Sequence, residues 1–156
     1  MKLITLAAAT LAMAIAAPAF AQNVEKVGPA GSRILTAAKV KAGATTVYLS
    51  GNLASPATPG GSDYGDTKTQ TISTLKKIKE LLAAHGMTMK DIVRMDAYLV
   101  AAPGMDGKMD FAGFNAGFAE FFNNAENPTT TTRTTMQISA LAGPQFLVEL
   151  TVIAAK

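Results

Sequence analysis

The chain has no cysteine and a single histidine, His85, among its 156 residues. Those two absences exclude a thiolate nucleophile, a Cys–His pair and any metal site built from several thiolates or imidazoles. A serine triad would have to use His85, and no G-x-S-x-G turn accompanies it. The paired glycines Gly60-Gly61 are not followed by Gly-Lys-Ser/Thr, so they form no phosphate-binding loop. His85 itself falls where a helix is expected to end, and a cationic imidazole suits the negative pole of a helix. Net charge is small too, at +3, which argues against a nucleic-acid partner or an anionic membrane surface.

The long apolar run is also missing. Lys2, an apolar stretch over residues 3–17 and the small-residue site Ala19-Phe20-Ala21 read as a secretory leader, residues 1–21, cleaved before Gln22. The stretch is shorter than the roughly 20 residues a spanning helix needs. The expected product is a periplasmic or secreted protein with no membrane attachment. Without Lys2 it has 13 basic against 11 acidic residues, a net of +2. Residues 22–156 make one domain, long enough to bury a single core without covalent staples.

Along that domain, β-branched and apolar residues over 34–40 and 46–50 flank Ala42-Gly43-Ala44 and predict an opening hairpin. Residues 52–65 are rich in Pro, Gly, Ser and Thr. They are long for a connection and serve either as a functional lid or as a tolerated insertion. Thr67-Lys68-Thr69-Gln70 fits a capping box. Ile72, Leu75, Ile78 and Leu82 then recur on one helical face opposite Lys76, Lys77, Lys79 and Glu80, with Gly86 as the left-handed stop.

Val93, Met95, Ala97 and Leu99 alternate with Arg94, Asp96 and Tyr98 as in a strand. Phe111, Phe114, Phe118, Phe121 and Phe122 follow at helical spacing after Asp110, a stripe read as core packing. Residues 133–140 and 146–154 give two closing strands around a turn at 141–145. The expected order is β-β-α-β-α-β-β, an α+β domain with both helices on one face of a mainly antiparallel sheet. Val93, Ile138, Leu147, Val148, Leu150 and Val152 offer more apolar strand surface than two helices readily hide, which predicts an oligomer.

Arg133 and Glu149 are the polar residues most out of keeping with their strands. Arg133 is either a planar fork for a carboxylate or a strand-end surface arginine. Glu149, between Val148 and Leu150, is either solvent-facing by alternation or held for function.

Taken in order, Tyr48-Leu49-Ser50-Gly51-Asn52, the helix over 70–86, Asp91-Ile92-Val93, Asp110-Phe111 with Asn115 and Phe121-Phe122, Arg133-Thr134-Thr135 and Val148-Glu149-Leu150 resemble the Rid (YjgF/YER057c/UK114) family. The resemblance spans about residues 28–154. It implies a chorismate-mutase-like fold, a homotrimer with active sites between subunits, no metal and no organic cofactor. It also implies hydrolytic deamination of reactive 2-imino or enamine acids to 2-keto acids and ammonia. In that pattern Arg133 binds the substrate carboxylate, Glu149 places the attacking water and the Gly51 backbone borders the pocket. Asn115 either lines the pocket or is a structural hydrogen-bonding residue.

The alternative is a non-catalytic member of the same fold that binds a small ligand or another protein. Export favours it, because familiar sources of 2-imino acids are cytosolic. Three features depart from the pattern. Ala30 stands where the family often has an aromatic, Thr-Arg-Thr replaces Ala-Arg-Ser, and residues 31–35 are an added stretch beside the long 52–65 loop, either of which would reshape the entrance.

Overall fold

The computed structural model describes residues 23–156; the leader expected over 1–21 lies outside them. Six strands and two helices follow in the order β1 (Val24–Val27), β2 (Ala37–Val40), β3 (Thr46–Leu53), α1 (Thr67–Ala84), β4 (Ile92–Leu99), α2 (Phe111–Ala119), β5 (Thr132–Gln137) and β6 (Val148–Ala155). β3, β6, β4 and β5 form a four-stranded sheet in that order, while β1 and β2 pair separately. β6 runs antiparallel to both β3 and β4, and β5 runs parallel to β4. Both helices pack on one face, as the alternation predicts.

The two expected hairpins do not form. A turn does occur at residues 41–44, where the Ala44 N–H donates to the Lys41 carbonyl. It separates β2, which pairs with β1, from β3, which pairs with β6. β1 was not anticipated, because Val-Glu-Lys-Val has only two apolar residues. At the other end, β4, α2 and β5 make a parallel crossover unit, which a helix must bridge. β6 therefore enters on the opposite side of β4 instead of folding back on β5. Turn composition shows where a chain reverses and not which strand receives it.

Alternation decides which face each side chain takes. Met95, Ala97 and Leu99 of β4 and Val148, Leu150, Val152 and Ala154 of β6 bury against Leu75, Ile78 and Leu82 of α1 and Phe114, Phe118 and Phe122. Each buried Phe contributes roughly 1.5–3 kcal/mol. On the far face Val93, Ile153 and Ala155 form a small cluster with Val24 and Ala38 from the β1–β2 pair. The remaining far face carries Arg94, Asp96, Tyr98, Glu149 and Thr151 together with the exposed Tyr48 and Met136, so it is mainly polar. This corrects the expected apolar excess: Leu147, Val148, Leu150 and Val152 are already covered by the helices.

The cap of α1 also differs from the expected box. Asp66, one residue earlier, accepts from the Thr69 N–H at 2.8 Å. Gln70 is buried and spends its amide elsewhere, donating to the Gln145 carbonyl at 2.9 Å and accepting from the Leu147 N–H at 2.8 Å. Thr67, Thr71 and Thr74 are buried too, with Thr71 and Thr74 bonding back to the carbonyls of Thr67 and Gln70. Here α1 crosses α2 at Gly117, where a Cβ would lie 2.8 Å from the Thr71 Cβ. At the far end the left-handed Gly86 closes the helix as expected.

Gln70→Ala leaves a buried donor and acceptor without partners, and we expect it to lower unfolding free energy in urea by about 2–4 kcal/mol. A loss below about 1 kcal/mol would show that water replaces the amide.

Candidate functional site

Arg133 stands near the start of the edge strand β5, opposite Met95 in the parallel ladder. Paired residues share a face, so its side chain lies on the helix side with Met95. Its guanidinium carbon sits 4.5 Å from the Phe118 ring centroid and 4.9 Å from that of Phe114. Nη2 donates to Asn115 Oδ1 at 2.9 Å. Nη1 is buried and has no partner, and neither has the hydroxyl of Thr135, two residues along the same face. Burial foremost, and then the charge of Arg33, lowers the Arg133 pKa to about 10, leaving it a cation at neutral pH. Among the described residues, carboxylates pair with Lys39, Lys68 and Arg94 and with neither Arg33 nor Arg133.

Glu149 and Gly51 form a second group. The register of β3 against β6 shifts between Leu49 and Asn52, so Ser50-Gly51 bulges on the other edge strand. A Cβ at Gly51 would fall 1.9 Å from Glu149 Oε1. Only glycine leaves the carboxylate its place.

The two groups do not meet within one chain. Glu149 pairs with Tyr98 on β4, on the far face, three residues along from Met95, the partner of Arg133. β4 lies between β5 and β6, so the backbones are also roughly 10 Å apart across the sheet. One chain thus presents the Arg133 guanidinium at its β5 edge and the Glu149 carboxylate on β6, beside Gly51 of β3, on opposite faces.

The 52–65 loop belongs to neither group. It is pinned to α1 through Ser55 and Ser73 and through Lys77, which donates to the Leu53 carbonyl. Tyr64 at its end packs edge-on to Phe146. His85 is the C-cap of α1. No cluster of three or more His, Cys, Asp or Glu side chains among the described residues could hold a metal ion, and no helix there is long and apolar enough to cross a membrane.

The model of the family described as Endoribonuclease L-PSP matches residues 35–156. The chain belongs to this family. A RutC family protein of Pyrococcus horikoshii is 29% identical over 88% of this chain and 95% of its own. Another RutC family protein, from Sulfurisphaera tokodaii, is 33% identical over 71% and 80%. A Yersinia pestis structure of the Rid protein family superposes with a TM-score of 0.67 at 24% identity, covering 86% of this chain and all of that one. Escherichia coli TdcF with bound serine gives a TM-score of 0.58 at 26% identity over 75% and 84%. The chorismate-mutase-like α+β architecture of these L-PSP/Rid proteins is thus shared.

Four residues around Arg133 were not expected there from the sequence: Phe114, Phe118, Thr135 and Arg33. The Phe stripe predicts core packing alone, yet Phe114 and Phe118 also support the guanidinium. Thr135 was legible, since a residue two along a strand from Arg133 must share its face. Arg33 carried no signal, because backbone tethers place it.

We expect a crystal structure of Gly51→Ala to keep the fold but show the Glu149 carboxylate rotated off its present site. An unmoved carboxylate would mean the β3 bulge yields instead.

Proposed function

We propose that the protein hydrolyses reactive 2-imino or enamine acids to 2-keto acids and ammonia, at sites completed between neighbouring subunits of a homotrimer. The observation that carries this reading is the Arg133 guanidinium, on two rings with one neutral hydrogen bond and an unpartnered buried Nη1. A planar cation so placed suits a carboxylate, which accepts two parallel N–H bonds. TdcF, which holds serine, is a relative in this fold with a carboxylate-bearing ligand. RNA cleavage, named in the family description, calls for a track of cations along successive phosphates. The cations here are two arginines beside one short helix.

The sheet edges support this assembly. Arg133 is on β5 and Gly51 on β3, the two unpaired margins of the sheet. Exposed edges need cover, and a head-to-tail contact of one margin with the other closes into a ring. A contact of that kind that also turns the helix face of β5 towards the far face of the next subunit would bring the Arg133 of one subunit to the Glu149 of the next.

The iminium carbon is already electrophilic, so the site needs chiefly to orient the acid and deliver water. Arg133 and Asn115 hold the carboxylate end. Glu149 accepts a proton as water adds to the C=N carbon, giving a carbinolamine. The proton passes from Glu149 to nitrogen, Glu149 takes the hydroxyl proton as the C–N bond breaks, and ammonia leaves the 2-keto acid. Arg133 stays protonated throughout. The second reading, binding without turnover, draws on the opposite placement of Arg133 and Glu149, since one chain alone has the anchor without the base. We also propose export, from the leader at residues 1–21, which amino-terminal sequencing of the protein from its host would test through a start at Gln22.

With imines made in situ by an amino-acid oxidase, Arg133→Ala is expected to lower kcat/KM about 100-fold. No acceleration by the wild type on any imine, together with keto-acid binding, would establish the binding reading. Because the anchor must be charged and its pKa is about 10, keto-acid affinity should be level from pH 7 to 9 and fall as pH rises through 10. Affinity that holds to pH 11 would show that burial does not lower the Arg133 pKa that far.

A further inference from the structure

The stretch between β1 and β2 carries a second arginine to a pocket beside Asn115, the hydrogen-bond partner of Arg133. Ser32 N–H donates to the Pro29 carbonyl at 3.1 Å and Gly31 is left-handed, which turns the chain back. Three contacts then fix the Arg33 backbone. Its carbonyl accepts from Thr130 Oγ1 at 2.8 Å, Asn123 Nδ2 donates to the Ser32 carbonyl at 3.1 Å, and Leu35 N–H donates to the Thr131 carbonyl at 3.0 Å. Thr130 and Thr131 immediately precede β5, so Arg33 is tied to the segment that delivers Arg133.

The Arg33 side chain lines an open pocket of about 530 Å³ with Phe111, Asn115 and the small Ala112, Ala116 and Ala119 of α2 and its end. Asn115 is the residue that accepts from Arg133. Arg33 thus shares a pocket lining with the residue that accepts from Arg133, and neither arginine has a carboxylate partner among the described residues. Two like charges without a counter-ion oppose each other, and the charge of Arg33 acts with burial in depressing the Arg133 pKa. An anion with two acidic groups relieves both.

We infer that Arg33 is a specificity residue, and that the pocket prefers 2-imino and 2-keto acids bearing a second carboxylate at the far end of the side chain. The inference rests on Arg133 as carboxylate anchor. Arg133 takes the carboxylate beside the reacting carbon and Arg33 takes the distal one. The alanines leave room for the linking methylenes, and the reaction is unchanged: water in, ammonia out.

Calorimetric binding of the unreactive products separates this from the parent reading. Wild type should bind 2-oxoglutarate up to about fivefold more tightly than 2-oxobutyrate, the gain of one additional exposed charge pair. Arg33→Ala should erase that preference by weakening 2-oxoglutarate more than 2-oxobutyrate, Arg33→Lys should restore part of it, and Arg133→Ala should weaken both acids. Equal affinities in the wild type, or a preference that survives Arg33→Ala, would overturn the inference while leaving the anchor intact. Binding of neither acid would overturn both.

Discussion

The guanidinium of Arg133 is packed between β5 and two phenylalanine rings of α2, with the Asn115 amide oxygen as its one hydrogen-bond acceptor. Stacking on aromatic faces offsets part of the cost of removing a cation from water, by about 1–2 kcal/mol when desolvated. It does not supply the oxygen acceptors that the fork presents. Much of the fold serves that arrangement. The Phe stripe that fills the core also makes the platform, the β4–α2–β5 crossover brings α2 over β5, and Asp110, bonded to the Gly113 N–H, fixes where α2 begins.

The same sheet denies Arg133 a base from its own chain. Strand geometry puts neighbours in register on one face and successive residues on opposite faces. Arg133 therefore follows Met95 to the helix side, while Glu149 follows Tyr98 to the other. Gly51 keeps Glu149 in place at the β3 edge, as Asn115 engages Arg133 at the β5 edge. A site needing both residues needs two copies of the chain, so catalysis and assembly become one question.

Much of this was legible in the sequence where the cause is local. The alternation in Met95, Ala97 and Leu99 and the spacing of Leu75, Ile78 and Leu82 placed the core face correctly. The left-handed stop at Gly86 and the cap at Asp110 also follow from short-range chemistry. What failed depends on distant partners. Gln70 has capping-box spacing but is drawn to Gln145 and Leu147, and β6 enters between β3 and β4 because the crossover fills the other side. Arg133 and Glu149 stood out as strand residues of the wrong polarity. Their opposite faces could be read only once the β4–β5 ladder was known to be parallel, and Arg33 depends on tethers to Thr130 and Asn123 almost a hundred positions away.

Mixed-subunit complementation tests the divided site most directly. Arg133→Ala and Glu149→Gln proteins, each inactive alone, are allowed to exchange subunits at equal amounts and assayed for imine hydrolysis. Random head-to-tail assembly places an intact Arg133 against an intact Glu149 at about one site in four, so about a quarter of wild-type activity should return. If exchange is demonstrated by mass and no activity returns, Arg133 and Glu149 do not complete one site across the subunit boundary.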